Sequence, residues 1–229
     1  MAKGETFKLQ LVKPAFDVTL SVSNIEPVLA FWKANLGLAP FETMTIREGL
    51  IQYRHRVGNS LLKMNHHARP LPKEGTTGYR ELIITRPGVK VRQALVDPEG
   101  NRVTIEPAAP GATEALGFLL EVADFGASRD FYERELALPL AQGSDGMRIA
   151  LGESFLVLRQ SGSAPRDPSF DGPAWRYPTI QVPDVEQMHG RMIARGWREG
   201  LPIKAFGTAV RFCFARDPDG NWIEFIQRG

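Results

Sequence analysis

The chain is poor in the residues that most often advertise a mechanism. Its 229 residues include one cysteine, Cys213, and four histidines. A single thiol excludes an intramolecular disulfide framework and suits a reducing compartment. Set between Phe212 and Phe214, it reads as a buried structural thiol. No stretch approaches the roughly 18 consecutive apolar residues of a membrane-spanning helix. The opening residues, Met1 to Thr6, lack the apolar segment of a signal peptide. The 28 basic and 26 acidic residues leave a formal charge of only +2, with no basic run, so the footprint of a nucleic-acid binder is missing. The expectation is a cytoplasmic protein that engages neither nucleic acid nor membrane. What is present, 43% apolar and 24% charged residues, is the composition of a globular chain that buries a core.

The most informative stretch lies near the end. Asp217-Pro218-Asp219-Gly220-Asn221 reads as a tight turn, with proline presetting φ and Gly-Asn supplying a positive φ. The strand after it alternates, placing Trp222, Glu224 and Ile226 on one face and Ile223 and Phe225 on the other. Asp17 to Val22 alternates as strictly, with Val18, Leu20 and Val22 as its apolar face. Asn24 then suits a helix N-cap, Pro27 a first turn and Gly37 a C-cap. Strands follow around residues 43–47, 50–57 and 61–65, which makes a βαβββ unit.

That unit recurs 100 positions later. Val22, Phe31, Trp32, Leu36 and Leu38 answer to Val122, Phe131, Tyr132, Leu136 and Leu138, and Asp97-Pro98-Glu99-Gly100-Asn101 answers to the turn at 217–221. Two motifs repeated in the same order are an internal duplication. They predict an arm at 1–14, a first domain at 15–108 and a second at 114–229. Between Arg86 and Asp97 there is no room for the crossover helix expected at 185–195 in the second half. The first domain therefore lacks one helix, and the arm or another subunit is expected to cover that face.

A strand ending Val-Ser-Asn or Val-Ala-Asp, a helix with Phe-Trp or Phe-Tyr before Leu-Gly-Leu or Leu-Ala-Leu, and the closing Asp-Pro-Asp-Gly-Asn turn together resemble the vicinal oxygen chelate superfamily of glyoxalase I, bleomycin-resistance proteins and extradiol dioxygenases. The resemblance implies an α+β fold of two tandem glyoxalase-like domains, each a cupped mixed sheet with its ligand in the cup. It also places metal ligands, where a member has them, on the first and last strands of each unit.

Carried over residue by residue, those positions fall on Asp17, Lys63, Glu81 and Thr104 in the first domain, with Glu106 two residues on. In the second they fall on Gly117, Val157, Tyr177 and Glu224. Lys63 standing for a ligand argues that an ammonium among carboxylates replaces an ion. The alternative is an all-oxygen Mg²⁺ or Mn²⁺ site at Asp17, Glu81 and Glu106. One carboxylate does not hold a divalent metal in the second domain, so no cofactor is expected there. Leu119, Glu121, Phe155, Arg159, Thr179, Gln181 and Trp222 share the predicted face with Glu224 and form an apolar cup with a few polar groups.

No histidine pair has ligand placement, which disfavours an extradiol dioxygenase or a glyoxalase I-type enzyme. His55 reads as core and His189 as exposed, and only His67, on the face of Lys63, has a claim to a site. The functional expectation is a protein for a small, partly apolar organic molecule. It is read as a lyase or isomerase working by proton transfer through Glu224 and Tyr177 or Lys63 and Glu106. Trp222, Phe155, Arg159, Gln181, Thr179, Asp17, Glu81 and His67 would bind the ligand. A sequestering protein similar to bleomycin-resistance members and a metal-dependent enzyme are the alternatives, and a homodimer is compatible with all three.

Overall fold

A computed structural model describes residues 8–72, 74–143 and 146–229; the first seven residues of the expected arm lie outside these. The first unit runs β1 (Asp17–Val22), α1 (Ile25–Leu36), β2 (Glu42–Arg47), β3 (Leu50–Val57) and β4 (Ser60–His67). The second has only β5 (Tyr79–Arg86), β6 (Gln93–Val96) and β7 (Arg102–Pro107), with no helix between Arg86 and Gln93. The third has β8 (Ala115–Val122), α2 (Phe125–Asp130) continued by a π-helical turn (Phe131–Glu135), β9 (Leu140–Gly143), β10 (Gly146–Leu151) and β11 (Ser154–Gln160). The fourth has β12 (Ala174–Gln181), α3 (Val185–Ala194), β13 (Arg198–Phe206), β14 (Val210–Arg216) and β15 (Trp222–Arg228). The duplicated units and the missing helix are as the repeat predicts.

The pairing of units is not. One sheet has eight strands in the order β13-β14-β15-β12-β1-β4-β3-β2, and the other seven in the order β6-β7-β5-β8-β11-β10-β9. The first unit thus joins the fourth, and the second joins the third. The boundary between 15–108 and 114–229 separates repeats in sequence but does not separate cups. The junctions are antiparallel, β1 against β12 and β5 against β8, and backbone pairing at these edges decides the partner. No pattern of side chains within a unit reports it.

The Asp-Pro-x-Gly-Asn turns tie the units together the other way. Asp97 Oδ1 accepts the N–H groups of Glu99 and Asn101 at 2.9 Å each. Asp217 does the same for Asp219 and Asn221, at 3.0 and 2.8 Å. Gly100 and Gly220, at φ 85° and 84°, hold the left-handed conformation that glycine adopts without a Cβ clash. The third residue of each turn then reaches a helix start. The Glu99 carboxylate accepts from Ser23 N at 2.8 Å and Asn24 N at 2.5 Å, and Asp219 Oδ2 accepts from Ala123 N at 2.8 Å. Asn24 occupies the N-cap of α1 without a side-chain bond; Glu99 supplies the acceptor and the negative charge that a helix start favours. Sheets link units one to four and two to three, while turns link one to two and three to four.

The apolar faces of both sheets and the helices share one core. Its seam is aromatic: Phe118 of β8 lies 4.9 Å from Tyr79, 5.6 Å from Trp175 and 6.0 Å from Phe16 between ring centroids. His55 is fully buried, and burial lowers its pKa to about 4, against the backbone of Leu38 and Ala39. Cys213 is buried as expected, its thiol pushed up to about 12, chiefly by burial. His189 is half-buried and paired with Glu199 at 2.5 Å. The arm buries Leu9, donates Val12 N to Gln181 O at 3.0 Å and accepts Glu153 N at Pro14 O, so its backbone is anchored to β12 and the β10–β11 turn.

Candidate functional site

The polar face of the eight-stranded sheet curls around a cavity of about 530 Å³. Strand alternation selects what faces it: Lys63, Asn65 and His67 from β4, and Glu224, Ile226 and Arg228 from β15. Leu62, Met64, Ile223 and Phe225 point the other way, into the core. Register then brings the central groups together. Thr179 lies opposite Glu224, Thr19 opposite Lys63, and Thr19 opposite Tyr177.

On the floor Lys63 Nζ donates to Thr179 Oγ1 at 2.5 Å and to Glu224 Oε2 at 3.1 Å, and the Thr179 hydroxyl donates to the same oxygen at 2.5 Å. The side chains of Lys63 and Glu224 are 6% and 10% exposed, so this is a buried ion pair bridged by a hydroxyl. Glu224 has no other hydrogen bond among the described residues, which leaves Oε1 to the cavity. Lys63 Nζ also lies 5.4 Å from the centre of the Tyr177 ring, a cation–π contact. The Tyr177 phenol is held well above its usual pKa, first by loss of water and then by the Glu224 charge. It is therefore a proton-bearing donor at neutral pH.

One wall comes from the loop at 161–173, whose only aromatic residue is Phe170. Its ring stacks on Tyr177 at 6.0 Å and meets Trp222 at 5.0 Å and Phe214 at 5.2 Å. Trp222 donates Nε1 to Pro168 O at 2.9 Å, so it clamps the loop and does not line the cavity. Arg176, 1% exposed, donates to carbonyls of Gly75, Ser169, Phe170 and Pro173 and pins the same loop. Burial lowers its pKa to about 10, so it stays charged at neutral pH.

Other expected site residues lie elsewhere. Asp17 accepts Leu61 N at 2.7 Å and pairs with Lys13. The carbonyl of Gln181 binds the arm, and its side chain does not line the cavity. Glu81, Glu106, Phe155 and Arg159 belong to the seven-stranded sheet. There Glu106 pairs with Arg148 at 3.0 Å, Glu81 lies 3.6 Å from Arg92, and Arg159 binds Glu121 at 2.8 Å. That second cup is filled. Phe155 packs with Ile83, Leu119 and Val157, and its ring lies where a Cβ on Gly117 would come within 2.3 Å. Arg148 covers the ring at 4.5 Å. The all-oxygen set of Asp17, Glu81 and Glu106 is divided between two sheets and does not converge, because the units pair one to four.

The residues present do not suit a divalent ion of the kind the fold family uses. Among the described residues no group of three or more His, Cys, Asp or Glu side chains is placed to hold one. The cavity floor offers one carboxylate, already bound to an ammonium. An ion on that carboxylate would meet the ammonium at about 4 Å, a repulsion on the order of 8 kcal/mol at an effective dielectric constant of ~20.

Met44, Ile46, Gln52, Arg54, Phe206 and Phe212 also line the cavity and went unrecognised in the sequence. The available signal was the alternation of β2, β3, β13 and β14, usable only once their units were known to share a cup.

No curated protein matches the sequence. The family model of the Glyoxalase/Bleomycin resistance protein/Dioxygenase superfamily matches residues 113–225. Glyoxalase I from Zea mays shares 15% identity with a TM-score of 0.71, over 94% of this chain and 92% of that one. A candidate dioxygenase from Bacillus subtilis subsp. subtilis strain 168 shares 12% with a TM-score of 0.70, over 96% and 86%. At such identities the likeness shows the fold alone. Residues 113–225 thus match the Glyoxalase/Bleomycin resistance protein/Dioxygenase, or vicinal oxygen chelate, superfamily, and the repeated βαβββ units carry the same fold through the rest of the chain.

Proposed function

We propose that the cavity of the eight-stranded sheet takes a small, partly apolar organic molecule. On it Glu224, with Lys63 and Thr179, moves a proton without a metal, in a reaction of lyase or isomerase type. The observation that carries this is the buried Lys63–Thr179–Glu224 cluster at the floor of a cavity lined mostly by apolar groups. A ligand pocket of this size is large enough for such a molecule. Glu224 Oε1 is the oxygen placed to accept a proton. Lys63 has three N–H groups and two are engaged by Thr179 and Glu224. The third, with the Tyr177 hydroxyl, can stabilise negative charge that develops on an oxygen of the substrate. Glu106, in the other sheet and bound to Arg148, has no part in this reading.

The test is to incubate the protein with a panel of small ketones, keto acids and aryl-substituted acids and analyse what returns by mass spectrometry and NMR. Glu224→Gln should still bind a converted compound and lose its turnover. If the variant retains both, this cup is not an active site. Ligands held tightly by wild type and returned unchanged would support sequestration, for which the Phe170–Tyr177 stack offers an aromatic wall.

A further inference from the structure

Building on the cavity as a ligand site, we infer that its ligand is an organic anion with an apolar body, its anionic group held by Arg47, His67 and Arg176. Five Lys and Arg side chains line the cavity against two carboxylates, Glu224 and Asp171. Both carboxylates are already engaged, Glu224 by Lys63 at 3.1 Å and Asp171 by Arg47 at 3.6 Å. Arg54 is paired with Glu42 at 2.9 Å, so the remaining positive charge is that of Arg176 and Arg228; it faces a cleft with low-dielectric walls, which concentrates its attraction for an anion.

One end of the cavity is built to receive an acceptor. Arg176 Nε and His67 Nε2 are buried without a hydrogen-bond partner among the described residues, a costly condition that a bound acceptor would relieve. The Arg176 guanidinium is fixed by four carbonyl oxygens, so its charge cannot turn away to solvent. His67 feels the charges of Asp171, Arg47, His66 and Arg176, which makes these groups one cluster. Asp171, from the loop, shows what the cluster attracts, since it is a carboxylate of the chain itself. Its pair with Arg47 is 59% exposed on both sides, and such exposed pairs contribute little to stability, so a ligand's carboxylate can replace it. Met44, Ile46, Leu50, Phe212 and Ile226 would receive the apolar body.

Three probes of one shape, 4-phenylbutyrate, 4-phenylbutanol and 4-phenylbutylamine, test this by isothermal titration into the wild type, Arg47→Met and Asp171→Asn. Both substitutions fall on exposed side chains, where folding is not at stake. The carboxylate should bind at least tenfold more tightly than the alcohol, and the amine more weakly still. Arg47→Met should weaken the carboxylate alone, Asp171→Asn should tighten it, and the His67 ring resonances should shift on binding. An alcohol bound as tightly as the acid, or a carboxylate affinity unchanged in both variants, overturns the anion site and leaves the proposed function standing. Binding of none of the three overturns both.

Discussion

Replacing Lys63 by methionine keeps the length and apolar stem of the side chain and removes its charge. Glu224, with a side chain 10% exposed, would then keep a carboxylate supported only by the Thr179 hydroxyl. Removing one partner of a buried pair costs about 3–5 kcal/mol, because the other charge is left uncompensated, whereas removing both is often close to neutral. For a chain of this length 1 kcal/mol moves the melting temperature by roughly 2–4 °C, so Lys63→Met should lower it by roughly 6–20 °C. Guanidinium unfolding at pH 7.5 would give the free energy directly. The double variant Lys63→Met/Glu224→Gln should be more stable than Lys63→Met alone, a sign that no additive model gives. A loss below 1 kcal/mol, or a double variant no more stable than the single, would refute the buried pair as described.

Three further outcomes follow from the fold. Glu99→Gln removes the charge that accepts from Ser23 N and Asn24 N; a loss of about 1 kcal/mol is expected by thermal unfolding, and none would mean that the turn does not cap α1. Gly117→Ala should destabilise by about 1–3 kcal/mol through overpacking, since its new methyl meets the Phe155 ring. Adding Phe155→Leu to it should recover part of that loss, and full additivity of the two would contradict the packing. Asp217 is raised from 3.8 to about 6, first by burial and against hydrogen bonds from Asn221 and Tyr132. The folded state thus holds that proton more tightly than the unfolded one. Its contribution to stability is present below pH 3.8 and declines as the pH rises to about 6. Asp217→Asn should flatten that decline in a plot of unfolding free energy against pH, and parallel curves would argue against it.

Local signals in the sequence were enough for the units. Alternation at Asp17–Val22 and Trp222–Arg228, the glycine cap of α1 and the paired turns all report short-range backbone physics, and each element formed as they require. The site was legible only in pieces. Lys63, Tyr177, Thr179, Glu224 and His67 were each recognisable, but Lys63 and Glu224 were assigned to different cups. Their 3.1 Å contact depends on β1 choosing β12 as its neighbour, a choice made between strand edges over 150 residues apart. Phe170 was hidden for another reason: it belongs to a loop with no periodicity, and contacts from distant residues, among them the Arg176 guanidinium, the Trp222 indole and Arg216, set where that loop is held. Phe155 misled in the opposite sense. Its face was right, but Gly117 leaves room for its ring to fill the cup that it was expected to line.

In the proposed reading, Lys63 stands where a divalent ion would otherwise sit against Glu224. Calorimetric titration of the purified, chelator-treated protein with Zn²⁺, Ni²⁺, Mn²⁺ and Mg²⁺, in parallel with Glu224→Gln, tests it most directly. No stoichiometric binding that depends on Glu224 is expected. One equivalent of any of these ions bound by the wild type and lost in Glu224→Gln would contradict it.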